Sequence, residues 1–168
     1  MPLTANSQEI ITLPSGKEVH IPKAIVEFKA WDGPPIKDTY GGKALLDYKG
    51  TPLFAELVIL RMLEEDGWSG VWVDNYRKKF RIGMPGAESP IPLPPAQQKI
   101  LDTIKEMNGS MSGCWDVFAW HDNKILFAES KLSGKDRIRS TQIKWFQRAL
   151  EAGYALKNFL LVEWLFEI

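Results

Sequence analysis

Gly113-Cys114-Trp115-Asp116-Val117-Phe118-Ala119-Trp120-His121-Asp122-Asn123-Lys124-Ile125-Leu126-Phe127-Ala128-Glu129-Ser130-Lys131 is the stretch from which the fold is read. Residues 117–120 and 125–131 each read as a strand, and His121-Asp122-Asn123-Lys124 joins them with the composition of a tight turn. With Asp122-Asn123 at the tip of a hairpin, Asp116 lies opposite Glu129. Opposed residues of an antiparallel pair point to one face, and the two-residue period of a strand puts Lys131 there as well. Strand geometry alone therefore gathers two carboxylates and an ammonium. Adjacent carboxylates repel and raise each other's pKa. A hard divalent cation, Mg²⁺ or Mn²⁺, accepts oxygen ligands and relieves that conflict. It also offsets charge on a phosphoryl oxygen, while Lys131 can orient a water or stabilise developing charge. The plainer alternative is a solvated hairpin face, because Glu-x-Lys is common in unrelated proteins.

Outward from this hairpin, residues 140–152 have a helical apolar stripe (Ile143, Phe146, Ala149, Leu150) that stops at Gly153. Gln142 falls in the first turn of that helix, where a side-chain amide and the helix N-terminus can both address a phosphate. A closing strand is expected at 159–164. On the N-terminal side, 96–107 reads as a helix ending at Asn108-Gly109, preceded by a Pro- and Gly-rich linker at 83–95. Residues 68–75 read as a strand. Thr51-Pro52 has the form of a helix start, predicting a helix from there to Glu65. Within it Glu56 shares one face with Leu53, Leu60 and Leu63, and a carboxylate on such a face needs a partner or a metal. Residues 32–50 read mostly as loop. Ile10, Ile11 and Leu13, then Pro14-Ser15-Gly16-Lys17, then Val19 and Ile21 predict an N-terminal hairpin, and 25–31 a separate strand ended by Asp32-Gly33-Pro34-Pro35.

Read together, the segments Gly113 to Trp120, Phe127-Ala128-Glu129-Ser130-Lys131 and Gln142-Ile143-Lys144-Trp145 resemble the VRR-NUC branch of the PD-(D/E)XK nucleases. Gly153 and the strand at 159–164 continue the likeness, and Glu56 to Trp72 looks like that family's opening helix and strand. The resemblance covers roughly the C-terminal third of the chain. It implies an α/β fold, a restriction-endonuclease-like central mixed sheet of about four or five strands flanked by helices. Residues 1–50 would be an N-terminal β extension, and 51–168 a nuclease core with an insertion at about 83–110. It further implies that Asp116 and Glu129 ligate Mg²⁺ or Mn²⁺ with the Ser130 carbonyl, that Lys131 assists the water, and that Glu56 and Gln142 support the site. One departure is Trp115, where the family commonly has proline. The family often dimerises, which makes a homodimer a possible arrangement.

The 168 residues carry no net charge, with 21 Lys and Arg against 21 Asp and Glu, so any nucleic-acid contact has to come from local asymmetry. Lys131, Lys135, Arg137, Arg139, Lys144 and Arg148 face only Asp136 in their segment, and Arg77, Lys78, Lys79 and Arg81 form a second basic run. Both are candidate phosphate contacts, DNA ahead of RNA. The single cysteine, Cys114, excludes an internal disulfide and suits a reducing, cytoplasmic setting. Residues 1–7 lack a secretory pattern, and no apolar run is long enough to span a membrane. His20 and His121 join no zinc pattern, and no Walker or dinucleotide motif is present. The expected activity is metal-dependent hydrolysis of DNA phosphodiesters, as an endonuclease of repair, replication or genome conflict. The alternatives are a catalytically inactive nucleic-acid-binding module and an assembly protein on the same fold.

Overall fold

Asp122 takes the left-handed conformation (φ 53°) that a tight hairpin tip requires, and around it Val117 pairs with Ala128 and His121 with Lys124. The strands of this hairpin are residues 117–121 and 124–132, in the register expected from the sequence. In the computed structural model, which describes residues 3–86 and 89–168, the elements follow in this order. They are β1 (Ser7–Thr12), β2 (Glu18–Phe28), β3 (Leu46–Tyr48), β4 (Thr51–Leu53), α1 (Ala55–Glu65), β5 (Ser69–Asp74), β6 (Lys79–Arg81), α2 (Pro95–Asn108), β7 (Val117–His121), β8 (Lys124–Leu132), α3 (Ser140–Glu151) and β9 (Phe159–Phe166). The expectations for residues 1–7 and 83–95 fall partly on Met1, Pro2, Ala87 and Glu88, which lie outside the described residues.

Seven strands form one mixed sheet in the order β1-β2-β9-β8-β7-β5-β6. β9 is parallel to both of its neighbours, β2 and β8, and the remaining pairs are antiparallel. The protein is thus α/β, with helices on both faces of the sheet. Alternation along the strands divides the core in two. Val117, Ala119, Ala128, Leu160 and Val162 face α1, through Leu57, Ile59 and Leu60. Phe118, Phe127, Phe159 and Leu161 face α2 and α3, through Leu101, Ile104, Trp145, Phe146 and Ala149. Gly70 in β5 is small by necessity: a Cβ there would stand 2.9 Å from the Phe118 carbonyl oxygen and 3.0 Å from the Leu60 side chain. No helix among the described residues is long and apolar enough to cross a membrane.

Three sequence expectations need correction. Thr51-Pro52 does not open a helix. Lys49 (φ 51°) and Gly50 (φ 87°) make a hairpin tip, so Thr51–Leu53 pairs with Leu46–Tyr48 as β4, and α1 begins after Phe54. Local cap chemistry yielded there to strand pairing. By the same pairing, the end of the 32–50 segment is strand rather than loop. Residues 18–28 are one strand rather than two, with a change of partner in mid-course. Residues 18–23 pair with β1 and 23–28 with β9. Pro22 sits in the half with β1 as its partner, where a missing N–H is tolerated on the open side. Lys23 marks the change-over and bridges Glu9 of β1 (3.0 Å) and Glu163 of β9 (3.3 Å).

Candidate active site at the ends of β7 and β8

Asp116 stands just before β7, fixed because its own carbonyl accepts the Val73 N–H at 2.7 Å. Its side chain and that of Glu129 lock each other across the hairpin. The Asp116 N–H donates to Glu129 Oε1 (3.0 Å), and the Ser130 N–H donates to Asp116 Oδ2 (2.8 Å). Glu129 is only 1% exposed, whereas Asp116 keeps part of its surface open to a cleft. Desolvation by the surrounding protein, then the Glu129 and Glu56 carboxylates, push the Asp116 carboxyl well above the usual range. Desolvation also raises Glu129, against the pull of Lys131. The neighbouring Cys114 thiol is pushed well above its ordinary value by burial and by both carboxylates, so it is a packing residue rather than a nucleophile.

Lys131 and Gln142 complete a closed network. Lys131 Nζ lies 2.9 Å from Glu129 Oε2 and donates to Gln142 Oε1 at 2.9 Å, while Gln142 Nε2 donates to Glu129 Oε2 at 2.6 Å. The Arg139 N–H also donates to Gln142 Oε1 (2.9 Å), which ties the amide to the first turn of α3. Two residues dock that turn onto the hairpin. Gly113 (φ 84°) runs so close to α3 that a Cβ would fall 2.0 Å from the Thr141 carbonyl oxygen. Trp115, fully buried, donates its Nε1–H to the Gln142 carbonyl at 3.1 Å. Trp115 therefore has a structural task, as a strut between the start of β7 and α3.

Glu56 reaches the same cleft from the first turn of α1, and one residue that sequence reasoning passed over arrives with it. Lys43, in the segment expected to be loop, forms an ion pair with Glu56 Oε1. Glu56 Oε2 is buried without a hydrogen-bond partner among the described residues. Lys43 has its pKa raised in spite of burial, by Glu56 first and then by Asp116. Tyr40, Gly41 and Gly42 all have positive φ, and this tight bend delivers Lys43. Gly41-Gly42 is a turn signal, but no residue spacing in the sequence announces a lysine directed at Glu56.

The candidate phosphate contacts separate into different places. Lys135, Arg137 and Arg139 line a cleft of about 480 Å³ together with Glu56, Asp116, Glu129, Lys131 and Gln142. Arg77 lines an adjoining cavity, with its guanidinium held by Asp38 through two bonds of 2.6 and 2.8 Å. Lys78 and Lys79 are exposed around a cavity beside α2 that none of the site carboxylates lines. Lys144 and Arg148 lie outside the cleft, near the Asn108 carbonyl and on Glu151. Arg81 has to be withdrawn from the set altogether. It is 5% exposed, donates to Asp74 Oδ2 (2.8 Å) and Ser89 Oγ (2.8 Å), and cannot reach a phosphate. Asp74 also accepts from the Tyr40 hydroxyl, whose pKa burial and this bond push up to about 12. The basic run around Arg81 hid this partner, because Asp74 lies just before it in sequence and reads as an ordinary strand end.

Among the described residues, no three Asp, Glu, His or Cys side chains form a ready-made cage for a metal ion. Both Glu129 oxygens are engaged within the protein, and one Glu56 oxygen is held by Lys43. Two observations nevertheless suit a cation. The Asp116 carboxyl is raised by two neighbouring carboxylates, which added positive charge would relieve, and Glu56 Oε2 is an unpartnered oxygen in the same cleft. Asp116, Glu129 and Glu56, with the Ser130 carbonyl, are the residues available to hold it. The Ser130 hydroxyl is itself engaged by Trp164 Nε1 at 3.0 Å. In comparisons with protein-family models, with curated proteins and with solved structures, nothing matches the chain.

Proposed function

We propose that the protein is a Mg²⁺- or Mn²⁺-dependent nuclease acting on DNA, built on a restriction-endonuclease-like sheet. The observation that carries this reading is the interlocked pair Asp116–Glu129 beside Lys131, at the floor of a cleft whose rim is Lys135, Arg137 and Arg139. Asp116, Glu129 and the Ser130 carbonyl would hold the ion, with Glu56 in support. The ion supplies Lewis-acid stabilisation of charge on a phosphoryl oxygen. Gln142 and Glu129 fix the Lys131 ammonium, so its protons are oriented before substrate arrives. That ammonium orients the attacking water or donates to a phosphoryl oxygen as negative charge develops. The exposed Lys135, Arg137 and Arg139 bind flanking phosphates and set the strand across the cleft. A nuclease of this kind works inside the cell, in keeping with a single buried cysteine. A homodimer would bring two such clefts to one duplex.

The test is cleavage of labelled single-stranded, duplex, flap and four-way-junction DNA in Mg²⁺, Mn²⁺ or EDTA, with wild type beside Lys131→Ala. Cutting that needs the metal and is lost in the variant supports the reading. Binding without cutting would instead favour a non-catalytic nucleic-acid-binding module. Neither binding nor cutting would turn attention to an assembly role.

A further inference from the structure

The cleft continues into a second cavity of about 870 Å³, and the two share Lys43, Glu56, Asp116, Arg139 and Gln142 as walls. Its remaining wall carries an aromatic group that the site chemistry does not use. Tyr76, in the turn between β5 and β6, is 83% exposed, the most exposed aromatic side chain among the described residues. A lone exposed ring means little by itself. This one, however, lines the cavity that adjoins the carboxylates, and a second layer supports it from behind. The Tyr40 ring lies 6.1 Å from it, the Arg77 guanidinium sits 3.7 Å from the Tyr40 ring centre, and Asp38 and Asp74 fix Arg77 and Tyr40 in turn. The layer beneath is thus held in place by its own contacts, while the Tyr76 ring is open to solvent. Lys37 and Arg139 add positive charge to the same cavity.

We propose that this second cavity is a subsite for an unpaired nucleotide, whose base stacks on Tyr76 while its backbone passes Lys37 and Arg139 toward the carboxylates. The inference rests on the nuclease reading and narrows it to substrates with a single-stranded portion beside the scissile bond. A paired base inside a duplex has both faces covered by its neighbours. An unpaired base can give one face to an aromatic ring, and stacking of this kind accepts any base.

The test separates binding from cutting. Anisotropy of a short labelled DNA single strand, the matching blunt duplex, and a single strand with one abasic position is measured in EDTA. Wild type, Tyr76→Ala and Tyr76→Phe are compared. The single strand should bind more tightly than the duplex, and Tyr76→Ala should weaken it by roughly ten-fold, within the range of one base–aromatic stack. Tyr76→Phe should bind like wild type. Moving the abasic position along the strand should find one place where wild type loses the same factor and Tyr76→Ala loses nothing. Equal binding by wild type and Tyr76→Ala, or preference for the blunt duplex, overturns the subsite. If Tyr76→Ala leaves binding unchanged while metal-dependent cleavage proceeds, the subsite fails and the nuclease stands. If the stacking pattern appears and no metal supports cleavage, the nuclease reading fails and the subsite stands.

Discussion

Asp116 is a residue whose place in the fold works against stability. Its carboxyl is held above the ordinary range by desolvation and by two like charges. A carboxyl whose pKa is raised on folding binds its proton more tightly in the folded state, so its ionisation destabilises the fold. Stability therefore falls as pH rises from the ordinary aspartate value of 3.8 toward the raised folded value, and stays low above it. Asp116→Asn keeps an oxygen for the Ser130 N–H and removes the charge. In EDTA at neutral pH it should melt at a higher temperature than wild type and show a flatter dependence on pH. It should also lose metal-dependent cleavage, and Mg²⁺ should raise its melting temperature less than it raises that of wild type. A wild-type protein more stable than Asp116→Asn in EDTA would contradict this account. Arg81 is the opposite case, a charge whose place is structural. Replacing it with alanine leaves Asp74 (1% exposed side chain) without its ionic partner and should cost about 3–5 kcal/mol in urea unfolding. Lys78→Ala, three residues earlier in the same basic run and exposed, should stay within about 0.5 kcal/mol of wild type.

At the level of elements, the hairpin β7–β8 was legible because its turn composition fixes its register, and the register fixes which side chains meet. Asp116, Glu129 and Lys131 follow from that one pairing. Gln142 was legible from the stop at Gly153 and the apolar stripe that precedes it. Lys43 was not, because it reaches Glu56 through a bend of three positive-φ residues that belongs to no periodic element. Thr51-Pro52 misled for a related reason: a good local helix start lost to pairing with Leu46–Tyr48, which only the Lys49-Gly50 tip makes possible. The first turn of α3 offers a direct test of how the elements are joined. Gly113→Ala puts a methyl group 2.0 Å from the Thr141 oxygen in a left-handed conformation, so α3 has to move. We expect a loss of at least about 2 kcal/mol in urea unfolding. Any remaining activity should fall further than the folded fraction explains, because Gln142 moves with the helix and releases Lys131.

For the molecule as a whole, the even charge balance conceals a strongly uneven distribution. Lys135, Arg137 and Arg139 lie around one cleft, Arg77, Arg81 and Arg148 are held by Asp38, Asp74 and Glu151, and Lys78 and Lys79 are exposed elsewhere. Removing Arg137 or Arg139 should weaken binding to all DNA sequences alike and lower the slope of log affinity against log salt by about one. Arg148→Ala should change neither quantity, and a titration of binding against NaCl distinguishes the two outcomes. The sheet itself was only partly foreseen. A mixed sheet flanked by helices was expected, with about four or five strands; β5 to β9 supply five, and β1 and β2 of the N-terminal extension join the same sheet to make seven.

The change of partner along β2 has a consequence in time. Residues 23–28 complete their pairing only with residues 161–166, more than a hundred positions later in the chain. On a ribosome, the second half of β2 must wait, with its edge open, until residues 161–166 have emerged. Such long-range parallel pairing slows folding and exposes an unpaired edge to other chains. For this protein the hazardous interval is synthesis itself, and it ends when β9 takes its place.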